Sequence, residues 1–236
     1  MHSYRTWMGL AVAIASSLLG LQLYSSLNFS GQVPSLFLAL GYSALYMAPF
    51  LPVVVAVAVG DTLAIDATSG YLACLLMRVG LATTLRRRAI TTALTTAGIL
   101  LLSLVPAAAI SVAAYPAIHG LLPGALERFP APEWGFTAAN IATLMLAGAA
   151  WGTVVTVVAP LLLPGRYWIL GAPVALYLLL SLTLPPAFSP MRRADLWFYL
   201  PSQGGFWTDA AWWAGWLLVG GVAGSLAWFR KGDLLA

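Results

Sequence analysis

Six stretches of this sequence, 18 to 27 residues long, hold no Asp, Glu, Lys, Arg or His. They fall at about 7–27, 36–60, 89–115, 137–163, 167–184 and 210–229. A helix of about 20 apolar residues crosses the ~30 Å hydrocarbon core of a bilayer. Barrel strands are shorter and alternate apolar with polar residues, and these runs do not alternate. Backbone N–H and C=O groups in lipid must be satisfied within the segment, which a helix does. The expectation is an all-α integral membrane protein of six transmembrane helices, with one transmembrane domain covering residues 1–236.

Composition agrees. Hydrophobic residues make up 61% of the chain and charged ones 8%, against about 25% charged in a soluble domain. The net charge of +4 is not a nucleic-acid signal, because the basic residues sit in short clusters between apolar runs. Those clusters orient the chain. With the N-terminus in the cytoplasm, six crossings place Arg5, Arg78, Arg86, Arg87, Arg88, Arg166, Arg230 and Lys231 inside. Only Arg128, Arg192 and Arg193 fall outside. Both termini are therefore expected in the cytoplasm. Trp7, Trp134, Trp168, Trp207, Trp212, Trp213 and Trp228 lie near the ends of the runs, where interfacial aromatics belong. The first run has the basic start of a signal peptide, yet it is longer than a signal core needs, so it is read as a span.

The chemistry that is missing narrows the function. Ion-coupled pumps usually carry ionisable groups inside their spans, and none falls inside these six. There is no paired-aspartate or His-Glu-x-x-His protease signature and no phosphate-binding Gly-x-x-x-x-Gly-Lys loop. Cys74 is the single cysteine, so neither an intrachain disulfide nor a cysteine metal cluster can form. The chain is read as no enzyme by itself, with no metal and no cofactor of its own.

Three connections are longer than a turn needs: 61–88 on the cytoplasmic side, and 116–136 and 185–209 outside. The first carries the most information. Tyr71, Leu72, Leu75 and Leu76 recur at helical spacing and form one apolar stripe. Thr68 and Ser69 can cap the start of that helix, Arg78 suits its C-terminal end, and Val79-Gly80 breaks it. One reading is an amphipathic helix on the inner leaflet, with its arginines on lipid phosphates. The other is a coupling helix that docks on a cytoplasmic partner. In the third connection, Leu196-Trp197-Phe198-Tyr199-Leu200 is too short to cross the membrane. It is read as a re-entrant or interfacial segment before the sixth helix.

In these features the sequence resembles the permease subunit of ABC-2 type ATP-binding-cassette transporters. That family has six spans, both ends in the cytoplasm, and an acid–Gly–Leu-Leu–Arg pattern in the first cytoplasmic loop. Asp66, Gly70, Leu75, Leu76 and Arg78 match it in order, with Arg86–Arg88 ahead of the third span. Family members usually carry an amphipathic helix before the first span, whereas six residues precede it here. The resemblance implies an ATP-driven exporter of a prokaryotic plasma membrane. It implies separate ATPase subunits holding ATP and Mg, and a second permease, either a copy or a related chain. It assigns Asp66, Gly70, Leu75, Leu76 and Arg78 to coupling with the ATPase, and the docking reading of the apolar stripe adds Tyr71 and Leu72.

Within and beside the spans, Tyr42, Ser43, Tyr46, Trp151, Trp197, Phe198 and Tyr199 are candidates for lining or gating a pathway. Tyr42 and Tyr46 share a helix face at i, i+4, and bonds to neighbouring helices explain them equally well. Trp151, mid-span, suits core packing at least as well as substrate contact. Pro49, Pro52, Pro106 and Pro173 can bend their helices. Gly148 with Gly152, and Gly220 with Gly224, are small-x-x-x-small pairs that allow close helix contact. Two other functions fit a six-span chain without an ATPase: the substrate-capture membrane subunit of an energy-coupling-factor importer, and a non-transporting membrane assembly protein.

Overall fold

A computed structural model describes residues 2–26, 36–60, 78, 80–115, 133–158, 166–185, 188–190, 208–219 and 222. Among the described residues all regular structure is helical. In chain order there are α1 (His2–Ser26), α2 (Leu36–Leu45), α3 (Leu51–Val59), α4 (Leu81–Ala114) and α5 (Glu133–Thr153). A π-helical turn, Val154–Val158, then continues α5. After it come α6 (Arg166–Thr183) and α7 (208–219). Among the described residues three stretches are long and apolar enough to cross a membrane: Tyr4–Ser26, Arg86–Ala114 and Thr137–Thr156. These are the first, third and fourth runs of the sequence. Gly171–Thr183, in the fifth run, is a shorter apolar helix.

The burial pattern of α4 explains why such a helix belongs in lipid. Its packed face carries Thr92, Thr96, Ser103, Ala107 and Ser111 beside Ile99, Leu100 and Leu104. Its outward face carries Ile90, Leu94, Leu101, Leu102, Val105, Ile110 and Val112. The larger apolar side chains thus point away from the protein and the small, hydroxyl-bearing ones point in. In water that arrangement would expose a continuous apolar stripe; in a bilayer it matches the solvent, and small residues let helices approach. Several hydroxyls of α4 and α5 are made compatible with hydrocarbon by bonding to their own helix. Thr96 donates to the Thr92 carbonyl at 2.7 Å, Thr143 to Ala139 at 2.9 Å and Thr153 to Ala149 at 3.1 Å.

Two boundaries differ from the sequence reading. The second run is two helices, with turns over 46–50 between them. Pro49 and Pro52 are the cause: neither can donate an N–H, and each disfavours helical geometry in the residue before it. Pro106 and Pro173 lie inside unbroken α4 and α6, so it is the closely spaced pair that interrupts a helix. The third helix starts at Leu81 rather than at residue 89, which carries Arg86–Arg88 onto its second turn. At 34 residues it is about 51 Å long, well beyond the hydrocarbon thickness.

Two residues near the sixth run also land differently. Trp213 is fully buried in the main core cluster, so it packs instead of facing a headgroup layer, while Trp7 is 67% exposed. Asp209, read as part of the external connection, is the second residue of α7 and is fully buried. A carboxylate there is favoured by the N-terminal end of the helix dipole.

The helices pack around the divided second run. α1 lies along α2, α3 and α4, α5 along α4 and α2, and α6 against α3 and the π-helical turn. α1 approaches closely at Gly20, where an added Cβ would stand 2.7 Å from the Tyr42 carbonyl oxygen. α5 approaches α4 at Gly148 and Gly152, facing Leu100 and Thr96 respectively. That pair therefore serves contact within the chain. Gly220 and Gly224 lie outside the described residues.

Candidate functional site

The backbone of the second run is the acceptor for most of the hydrogen bonds that join one helix to another among the described residues. Thr137 of α5 donates to the Phe37 carbonyl at 2.9 Å, and Asn140 to the Gly41 carbonyl at 3.4 Å. Further along, Tyr177 of α6 donates its hydroxyl to the Ala48 carbonyl at 2.9 Å. Ser103 of α4 reaches Met47 Sδ at 3.6 Å. A fifth bond, from Ser17 of α1 to the Ser103 carbonyl at 2.9 Å, ties α1 to α4.

The centre of this arrangement is the break itself. Met47, Ala48 and Leu51 are buried, and so are Trp151 and Tyr177. Through the break the backbone makes short turns: Met47 N–H to the Ala44 carbonyl, Phe50 to Met47 and Leu51 to Ala48, at 3.1, 3.1 and 3.4 Å. Protein covers the break at Met47 and Ala48. The Trp151 and Tyr177 rings meet edge to face with centroids 5.1 Å apart. Trp151 Nε1 has no hydrogen-bond partner among the described residues, although the side chain is only 1% exposed. Three residues further on, α5 widens into its π-helical turn, a local irregularity that recurs at functional positions.

Tyr42, Ser43, Tyr46 and Trp151 take different places. Tyr42 is half-buried and its ring stands 5.1 Å from that of Tyr24, which also meets Tyr115 edge-on at 5.4 Å. Ser43 is fully buried and donates to the Ala39 carbonyl of its own helix at 3.0 Å. Tyr46 is half-buried and starts the break, with its N–H on the Tyr42 carbonyl at 3.1 Å. Trp151 joins the break through Tyr177. Trp197, Phe198 and Tyr199 lie outside the described residues, as do Asp66, Gly70, Tyr71, Leu72, Leu75 and Leu76. Arg78 is helical and exposed. Gly80 follows with φ of 80°, a conformation glycine adopts without strain, and α4 begins at the next residue. Among the described residues no group of His, Cys, Asp or Glu is arranged to hold a metal.

Tyr177 went unnoticed in the sequence because it sits in a Leu-rich run, Leu176-Tyr177-Leu178-Leu179-Leu180, and looks like filler. The signal was nevertheless there. Pro52 leaves the carbonyl four residues earlier, that of Ala48, without a backbone donor, and a hydroxyl from a neighbouring span is the natural substitute. No family model, no curated protein and no solved structure matches this chain.

Proposed function

We propose that this chain is the transmembrane permease subunit of an ATP-driven exporter of the ABC-2 kind. It would have six spans and both termini in the cytoplasm of a prokaryotic plasma membrane. It would work with separate ATPase subunits and with a second permease. The observation that carries the reading is the junction at Gly80. A helical, exposed Arg78 is followed by one left-handed glycine and then by a single unbroken helix of 34 residues. A partner that moves the segment ending at Arg78 thus acts on the end of a rigid lever that runs the depth of the membrane. Two further facts agree with it: the six apolar runs of the sequence hold no Asp, Glu, Lys, Arg or His that could carry an ion gradient, and the sequence has no phosphate-binding loop of its own.

Isolation of the tagged chain from native membranes tests the reading. A pair of ATPase subunits should co-purify. Leu75→Asp puts a charge into the stripe that would dock on them, which costs several kcal/mol when buried without a partner. The variant should remain in the membrane and lose the ATPase. Retention of the ATPase by the variant removes Leu75 from the contact, and absence of any ATPase from the wild-type preparation removes the permease reading.

A further inference from the structure

Pro52 stands in the first turn of α3, where a helix does not need its N–H. The cost falls one turn earlier, on the Ala48 carbonyl. The Leu51 N–H reaches that oxygen only at 3.4 Å, whereas the Tyr177 hydroxyl reaches it at 2.9 Å. Both residues are buried, and at membrane depth no water stands ready to replace a lost donor. We propose that the Tyr177 hydroxyl is a latch. It supplies from α6 the donor that Pro52 withholds, so the bend between α2 and α3 is held shut while α6 stays in place and is released when α6 withdraws.

The surroundings suit a movable contact. Among the described residues α6 packs mainly on α3 and on the π-helical turn, and Leu176, Leu178, Leu179 and Leu182 are exposed around it. Pro173, one turn before Tyr177, removes a backbone bond inside α6. Trp151 holds the Tyr177 ring from the side, just before α5 leaves regular α-geometry. The break and the π-helical turn thus lie close to the latch, and Pro173 leaves α6 one backbone bond short within a turn of it. The latch belongs to the fold of this chain alone; its use as the gate of a transport pathway rests on the permease reading.

Hydrogen exchange of the full chain in lipid nanodiscs, without any ATPase, tests the latch independently of that reading. Tyr177→Phe removes only the hydroxyl. Polar bonds between membrane helices are commonly worth about 0.6 and at most about 1.7 kcal/mol, and each 1.4 kcal/mol is a factor of ten. Exchange at the amides of residues 46–48, 50 and 51 should therefore rise about threefold to sixteenfold, with the Thr92–Leu104 stretch of α4 unchanged. Pro52→Ala returns an N–H to the Ala48 carbonyl. In that background Tyr177→Phe should change exchange by less than about twofold. An equal effect of Tyr177→Phe in both backgrounds, or a rise spread evenly over α4 and the break, would overturn the latch. If Pro52→Ala does not insert, the local rise against an unchanged α4 decides alone, and an unchanged break overturns the proposal.

Discussion

Where α4 meets α5, both backbones are regular and the fit is made by what is missing. Gly148 and Gly152 present no side chain, and Leu100 and Thr96 fill the space. Where the second run meets α6, the backbone is irregular and the fit is made by what is added: a tyrosine hydroxyl on the Ala48 carbonyl, with an indole against the tyrosine ring. In the first contact Thr96 and Thr153 bond their own helices, and the fit rests on close packing against the glycines. In the second, a carbonyl that its own helix cannot satisfy is satisfied by another. The first contact thus has one way of fitting together. The second has an exchangeable bond and hence a way to open. A membrane protein needs both kinds, because hydrophobic burial cannot drive its helices together in lipid.

The largest effect expected is from Trp151→Ala. If the seam beside the break is packed, the substitution leaves a large cavity and costs about 3–5 kcal/mol, read as the shift of the unfolding midpoint in a detergent–SDS titration. A change below about 1 kcal/mol would mean that Trp151 borders open space, and would return it to the lining of a pathway. Gly148→Leu comes next. It drives a side chain into Leu100 on a surface with no slack, costing about 1–3 kcal/mol in the same titration. A neutral result would show that α4 and α5 slide as readily as the seam. Thr96→Val should be the mildest, at roughly 0.6 kcal/mol or less, since the hydroxyl bonds only its own helix. A loss well above that would place Thr96 in a bond between helices and erase the contrast.

Much of the helical content was legible in the sequence, and for a simple reason. Charge-free runs of membrane length leave the backbone no other way to satisfy itself, so α1, α4 and α5 follow from composition and length. The prolines were legible as sites of strain, but not which of them would break a helix. That depends on whether neighbours can take over the freed carbonyls, and only packing tells. The pair Gly148 and Gly152 was legible as a contact, but its partner was not, because spacing along one helix says nothing about which helix lies across from it.

The sequence by itself determined that the chain is helical, with helices long and apolar enough to cross a membrane, since hydropathy acts on each segment separately and needs no partner. Only the tertiary structure decided that the second run is divided, that Tyr177 completes its backbone, and that Trp213 and Asp209 lie inside the protein. Each of those depends on a group supplied by, or covered by, a segment distant in sequence. A buried carbonyl or carboxylate in lipid is tolerable only once such a neighbour has arrived.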